Sequence, residues 1–348
     1  MAIDLSLIWV LIIAFGLMMY VVMDGFDLGA GVVHLFVARN EDERGRILRS
    51  IGPVWDGNEV WLLAAGGTLY FAFPALYAAA FSGFYLALMI VLWLLILRGM
   101  SIELRGHVEG PLWKPFWDLV FGASSAVLAL VLGVALGNVV RGVPLDSDGY
   151  FFLPLWTNLT PGANAGVIDW YTLLIGLASL AALALHGTFW VVYKTSGDLQ
   201  ERSREFASKT WWIVALLTAL VTAASFPMQP NILKEFSDRP WGVIFPLLAI
   251  AGLLGMWVAR ARKRDLAAFL SSCLYLTGML TSVVFGVYPY VLPSNTAPET
   301  SLTVTNAAAA EYGLWIGLWW WIPGMFLAAV YSFFVYRHFA GKVESESL

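Results

Sequence analysis

The chain has 348 residues, of which 59% are hydrophobic and only 13% are charged. Soluble domains carry about 25% charged residues, so this chain has too little polar surface to cover a globule of its size. A formal net charge of −4 argues against a nucleic-acid partner. The single cysteine, Cys273, excludes an intrachain disulfide framework and any multi-cysteine zinc or iron–sulfur site.

Nine apolar stretches are long enough to cross a membrane as helices of about 20 residues. They are predicted at 5–29, 54–73, 75–97, 117–140, 170–193, 211–226, 241–259, 267–288 and 314–336. The two longest connections, 141–169 and 289–313, are too small to fold alone and are expected to pack over helix ends. Residues 1–9 lack the basic region of a cleavable signal, so the first span is expected to be retained. The prediction is an all-α polytopic membrane protein with one transmembrane domain, 1–348.

The basic residues predict the orientation of these spans, because cytoplasmic loops carry the Lys/Arg excess. Seventeen of the 20 basic residues fall after spans 1, 3, 5 and 7 or in the C-terminal tail, and three fall on the opposite side. The N-terminus is therefore expected outside and the C-terminus in the cytoplasm.

Carboxylates within membrane spans are costly to bury, so they mark candidate functional sites. Asp24 and Asp27 lie three residues apart in the first span and share a helix face. Asp56 and Glu59 occupy the first turns of the second span, and Glu103 follows the third. The predicted topology puts all five carboxylates at one depth on the cytoplasmic side.

Two interpretations of these acids are open. Adjacent carboxylates in a low dielectric can share a proton and pass it on, which would make the cluster a proton path. Alternatively, Asp56 and Glu59 form a D-x-x-E variant of the capping box at the start of their helix. Asp24 and Asp27 could likewise serve only as hydrogen-bonding partners between helices.

His186 is the only one of the four histidines well inside a predicted span. A haem with two protein ligands needs a second buried histidine or methionine, so a packing or hydrogen-bonding role is favoured for His186. No cofactor or metal site is predicted on this chain. The pair Gly29 and Gly31, and the pair Gly66 and Gly67, indicate close helix contacts.

Several segments of the chain form longer motifs, two of them around the acids. Residues 24–29 (DGFDLG) and 53–61 (PVWDGNEVW) are similar to the DGFDLG and P-x-W-D-G-N-x-x-W signatures of subunit II of the cytochrome bd-type quinol oxidases. Further matches occur at 78–85 (AAAFSGFY), 137–144 (GNVVRGVP), 288–294 (YPYVLPS) and 301–303 (SLT). The matches cover nearly the whole chain in the expected order.

The resemblance implies two four-helix bundles, at 1–140 and 170–288, and an extra helix at 314–338. It also implies a haem-free subunit of an oxidase that takes electrons from quinol and reduces dioxygen to water. The partner, subunit I, would carry the haems, either b and d or b alone as in the cyanide-insensitive branch. Small single-helix accessory subunits, membrane lipids and a structural quinone are further expected partners, in a bacterial inner membrane.

For individual residues, the resemblance makes Asp24, Asp27, Asp56 and Glu103 proton-path candidates, and Glu59 joins them by position. It also places Trp61 near an oxygen access route and Trp55 beside the acidic pair. Two other functions remain open on the sequence. One is an ion-coupled secondary transporter, which also carries intramembrane carboxylates. The other is a purely structural subunit that assembles subunit I.

Overall fold

The structure is a computed structural model that describes residues 4–344. Within these residues the helices are α1 (Leu5–Val37), α2 (Glu41–Ile51), α3 (Trp55–Ala72), α4 (Pro74–Gly83), α5 (Tyr85–Leu104), α6 (Trp113–Arg141), α7 (Trp170–Lys194), α8 (Gly197–Met228), α9 (Asn231–Asp238), α10 (Ile244–Ala261), α11 (Asp265–Val287) and α12 (Glu311–His338). Two short strands, β1 (Tyr290–Leu292) and β2 (Leu302–Thr303), pair antiparallel. The fold is therefore all-α, as predicted.

Eight helices in the described residues are long and apolar enough to span a membrane, and α3 with α4 forms a bent pair that can count as a ninth span. The bend between α3 and α4 is 119°. Pro74 starts α4, because proline has no backbone N–H and its fixed φ suits the first turn of a helix. The expectation that a third span begins at residue 75 is therefore wrong, since the helix that crosses is α5.

Other spans are longer than predicted. α1 continues to Val37 and α8 begins at Gly197. The predicted start at residue 211 follows a charged segment, but charge does not end a helix, whereas the predicted end at residue 29 lies within an apolar stretch that continues to Val37. α5 runs past the predicted end at residue 97 and takes Arg98 into the helix. Without Arg98, 16 basic residues still lie on the predicted cytoplasmic side and three on the opposite side. The excess that predicts the orientation therefore remains, and the orientation stays a prediction.

α1 and α7 are central to the packing. α1 contacts α3, α6 and α7, while α7 also contacts α8 and α11. A Cβ atom at Gly29 would lie 2.7 Å from the Cα atom of Gly187, so only glycine lets these two helices cross so closely. The division into bundles at 1–140 and 170–288 stays a prediction.

The glycine predictions have different outcomes. A close contact is confirmed at Gly29, and also at Gly31, where a Cβ atom would lie 2.8 Å from the Cβ atom of Ser125. Nothing in the described chain lies within 4 Å of a Cβ atom built at Gly66 or Gly67. The expectation of a close contact at that pair is therefore wrong within this chain.

The two long connections pack together over the end of the molecule where α1 begins, as expected. Val143, Leu145 and Leu153 are buried there with Leu5 and Trp9 of α1. The Nε1 atom of Trp9 donates to the carbonyl of Leu314 at 3.0 Å, which ties α1 to the start of α12. These connections cover one end of the helices, and the acids lie toward the other.

Candidate functional site

A fully buried ion pair joins α1 to α5. The guanidinium of Arg98 donates to both carboxylate oxygens of Asp24, with 2.7 Å between Nη1 and Oδ2. Neither side chain has any exposed surface. Because a forked guanidinium matches a carboxylate in geometry and charge, Asp24 is stabilised in its ionised form.

Glu59 on α3 extends this ion pair toward the surface. Its Oε2 atom lies 3.9 Å from Nη1 of Arg98, and its side chain is 23% exposed. Arg98 therefore faces two carboxylates, of which only Glu59 reaches the surface of this chain. This exposure makes Glu59 the accessible member of the cluster.

Asp27, one helical turn beyond Asp24, has a different environment. The amide of Asn58 donates to Oδ2 of Asp27 at 2.7 Å, and the hydroxyl of Tyr336 donates to Oδ1 of Asn58 at 2.7 Å. No protein donor in the described chain reaches Oδ1 of Asp27, which is fully buried. A buried carboxylate oxygen without a donor is poorly stabilised when charged, so Asp27 can take a proton without losing a hydrogen bond.

The structure thus brings together Asp24, Asp27 and Glu59, but not all five predicted acids. Asp56 and Glu103 are exposed and form no ion pair within residues 4–344. The proposed capping box is also wrong, because the residue that caps α3 is Val54, which makes no side-chain cap bond.

The two tryptophans singled out from the sequence lie on α3. Trp55 packs against α5 at Gly99, where a Cβ atom would lie 3.5 Å from the indole ring. Gly99 follows Arg98 on α5, but neighbouring residues of a helix point in different directions, so the expectation that Trp55 lies beside the acids stays a prediction. Trp61 is buried and meets the ring of Phe15 edge-on, with 6.0 Å between centroids.

Both ring nitrogens of His186 have hydrogen-bond partners. Nε2 lies 2.9 Å from the carbonyl of Val22, and Nδ1 lies 2.7 Å from the hydroxyl of Ser272. The ring also stacks on Phe269, with centroids 5.0 Å apart. A haem iron bound at either nitrogen would have to displace one of these bonds. The hydrogen-bonding role favoured by the sequence is confirmed.

A second ionic cluster, which the sequence analysis missed, joins the ends of α1, α2, α5 and α6. Asp118 is 1% exposed and accepts hydrogen bonds from Arg105 at 2.6 Å and from Arg44 at 3.2 Å. His34 lies 3.7 Å from the same carboxylate. Burial lowers the pKa of Arg105, but its bonds to Asp118 and Glu41 outweigh burial and raise that pKa overall.

Glu43, on α2, links the first helices to α8. Its carboxylate accepts from the amide of Arg39 at 2.7 Å and pairs with Arg202 at 2.5 Å. Burial raises the pKa of Glu43, but the two donors outweigh burial and lower that pKa overall. The charged form of Glu43 therefore contributes to the docking of α2 on α8.

Some of the missed residues carried a signal in the sequence. Asp118 lies inside the predicted fourth span, so the rule that selected Asp24 would have selected it too. Arg98 sits one residue past the predicted end of the third span, where it was counted as a loop residue. Asn58 and Tyr336 are ordinary residues of apolar helices, and nothing in the sequence indicates that they meet.

The comparisons with known proteins point to one family. Residues 5–339 match the model for cytochrome bd terminal oxidase subunit II. The chain is 33% identical to the probable cytochrome oxidase subunit 2 of Haemophilus influenzae, with 97% of this chain and 94% of that protein covered. It is 32% identical to the cytochrome bd-I ubiquinol oxidase subunit 2 of Escherichia coli K12, with 99% and 96% covered.

The fold agrees with these similarities. The bd oxidase structure from Geobacillus thermodenitrificans superposes with a TM-score of 0.72, covering 97% of this chain and 99% of that one, at 18% identity. Together with the buried acids and the spanning helices, the family match defines a membrane-embedded subunit of a respiratory oxidase. The chain belongs to the cytochrome bd terminal oxidase subunit II family.

Membership in this family makes the chain a multi-pass subunit of a bacterial quinol oxidase in the inner membrane, with the catalytic centre on the partner subunit. The family match favours this function over the ion-coupled transporter that the sequence left open. What the acid cluster does within the oxidase is a separate question, which turns on the geometry of Asp24, Asp27 and Glu59.

Proposed function

We propose that this chain supplies a proton route to the oxygen-reducing centre of its partner, subunit I. Subunit I is expected to hold haems b and d, or b alone, which carry the electrons from quinol to dioxygen. The observation that supports the proposal is the pairing of two unlike buried carboxylates one helical turn apart. Asp24 is bonded on both oxygens, whereas one oxygen of Asp27 has no protein donor among residues 4–344.

The two carboxylates suit different roles. Asp24 and Arg98 form a fixed charge pair, because protonating Asp24 would leave the buried guanidinium with only the more distant carboxylate of Glu59, at 3.9 Å. Asp27 has one oxygen without a donor in the described chain, so it is the carboxylate to which we assign the change between a neutral and a charged form. Glu59 admits protons from the surface, since it is the part of the cluster that is exposed.

The direction of transfer follows from the chemistry of the complex. Reduction of one dioxygen to two waters consumes four protons. The basic residues predict that the acids face the cytoplasm, so protons taken up there move toward subunit I while quinol protons leave on the other side. The acid cluster then contributes to charge separation across the membrane.

The exposed acids suggest which surface subunit I covers. Asp56 on α3 and Glu103 on α5 are exposed at the ends of apolar helices, among outward-facing side chains such as Leu63 and Trp93. Lipid tails accept the apolar residues but not a carboxylate at depth. A partner on the α3–α5 face would cover both, and Asp56 and Glu103 would then pass protons to it. Trp61, buried beneath this face, is the candidate for oxygen access.

The test compares variants in the assembled complex. Asp27→Asn and Asp56→Asn are expected to lower quinol-dependent oxygen consumption by at least about tenfold while the haem spectrum is unchanged. Losses of about this size or larger are typical when a proton-transfer group is removed. Asp148→Asn, an exposed acid in the connection at the other end, is the matched control. Wild-type turnover in both acid variants would refute the proton route.

A purely structural role is supported by one observation, the complete hydrogen bonding of Asp24 by Arg98. If this pair only holds α1 against α5, Asp24→Asn removes the haem spectrum by preventing assembly with subunit I. If the pair also tunes Asp27, the variant keeps its haems and turns over slowly. The spectrum and the rate, recorded on one sample, separate the two roles.

A further inference from the structure

A cavity of about 580 Å³ lies at the end of the molecule where α7 and α12 finish. Its floor is aromatic and includes Phe26, Trp190 and Phe269, with the rings of Phe26 and Trp190 stacked 4.1 Å apart. Leu266 and Leu270 of α11 form an exposed apolar side. The volume is typical of a pocket that holds a ligand.

The rim of this cavity is basic. Lys194, Arg49 and Lys342 line it, and no Asp or Glu is among its lining residues in the described chain. Arg49 lies 3.7 Å from Asp42, outside the cavity. Among the described residues that line the cavity, basic side chains therefore outnumber acidic ones.

Lys194 is the central residue of the rim. It is 5% exposed, its Nζ atom donates to the carbonyl of Phe339 at 2.6 Å, and it lies 5.4 Å from the centroid of the Trp190 ring. No carboxylate within residues 4–344 pairs with it. A buried ammonium is stabilised by a counter-ion far better than by a neutral carbonyl, so the site favours an anion.

The segment after α12 closes one side of the cavity. The amide of Val343 donates to the carbonyl of Lys194 at 2.7 Å, and Nζ of Lys342 donates to the carbonyl of Thr195 at 2.9 Å. These bonds hold a second lysine beside the first. The cavity thus combines an apolar floor with two ordered ammonium groups.

We propose that this cavity binds one anionic phospholipid, with its phosphate between Lys194 and Lys342 and its acyl chain along Leu266 and Leu270. Basic pockets between transmembrane helices bind acidic headgroups in this way. A quinone is neutral and would leave Lys194 without a counter-charge. A free phosphate would leave the aromatic floor uncovered. The proposal is independent of the proton route.

Cys273 provides the assay, because it lines the cavity and is the only cysteine of this chain. The delipidated two-subunit complex is labelled with N-ethylmaleimide, and the intact mass of this subunit gives the labelled fraction. Phosphatidylglycerol is expected to protect Cys273, whereas phosphatidylcholine and inorganic phosphate are not. Lys194→Gln is expected to raise the half-protecting concentration of phosphatidylglycerol about tenfold, as for a lost charge-assisted hydrogen bond.

Three control variants accompany the assay. Lys194→Arg keeps the charge and should keep the protection of Cys273. Lys342→Gln should weaken that protection, and it replaces Lys194→Gln as the test variant if Lys194→Gln does not assemble. Lys209→Gln removes a lysine that is 75% exposed and should change nothing. The proposal would be overturned if phosphatidylcholine protected Cys273 equally, or if phosphate alone or a quinone alone protected it. It would also be overturned if phosphatidylglycerol gave no protection. Oxygen consumption, measured separately, tests the proton route.

Discussion

Removing the charge of Arg98 is the most direct perturbation of the acid cluster. In Arg98→Gln, Asp24 loses a partner that bonds both of its oxygens, at a position with no exposed surface. Breaking a buried ion pair by removing one member costs about 3–5 kcal/mol of the free energy of unfolding, because the remaining charge stays buried. For a chain longer than about 250 residues, at about 2 °C per kcal/mol, this lowers the melting temperature by roughly 6–10 °C.

The assay is thermal unfolding of the purified complex, followed by tryptophan fluorescence. It includes the single variants Arg98→Gln and Asp24→Asn and the double variant that carries both changes. In the double variant both members are neutral and no buried charge is left, so we expect it to recover more than half of the loss caused by Arg98→Gln. Lys209→Gln, which breaks an exposed pair with Glu205, should leave the melting temperature unchanged. A double variant as unstable as the sum of its two single variants would refute the reasoning, because the two charges would then not be coupled.

Three other changes test separate parts of the structure. Asn58→Leu removes the donor to Asp27, so oxygen consumption should fall while the haem spectrum stays, and an unchanged rate would exclude Asn58 from the route. Gly29→Ala should cost about 1–3 kcal/mol in thermal unfolding, because the new Cβ atom meets the backbone of α7, whereas Gly66→Ala should be neutral. The pKa of Glu43 is lowered by folding, so its contribution to stability is present above the ordinary pKa of a glutamate and is lost as pH falls through the lowered value. The loss of stability on acidification should therefore be smaller in Glu43→Gln than in the wild type, and equal loss in both would contradict this assignment.

Much of the architecture follows from local sequence. A run of about 20 apolar residues must satisfy its own backbone in lipid and so forms a helix, which is why the spanning helices were predictable. The helix ends were less predictable, because α8 begins among charged residues and α1 continues past residue 29 to Val37. The break at Pro74 moved the third span by ten residues, since proline allowed α4 to start a new direction.

The acids themselves were also visible, because a carboxylate in an apolar stretch stands out whatever surrounds it. The sequence determined that Asp24 and Asp27 share a helix face, but because α1 continues to Val37 they lie nearer the middle of this helix than its end. It did not show that Asp24 is paired and Asp27 only partly bonded. That difference depends on Arg98, which is 74 residues from Asp24, and on Tyr336, which is 278 residues from Asn58.

The sequence by itself determined the spanning helices and the spacing of Asp24 and Asp27 along α1, because helix formation and the rise per residue are local properties. The tertiary structure alone decided which acid forms an ion pair, which keeps an oxygen without a donor in the described chain, and where the basic cavity lies. These depend on how each helix is rotated about its axis and which helix it packs against. Close contacts such as that of Gly29 with Gly187 fix both, and they join residues far apart in the chain.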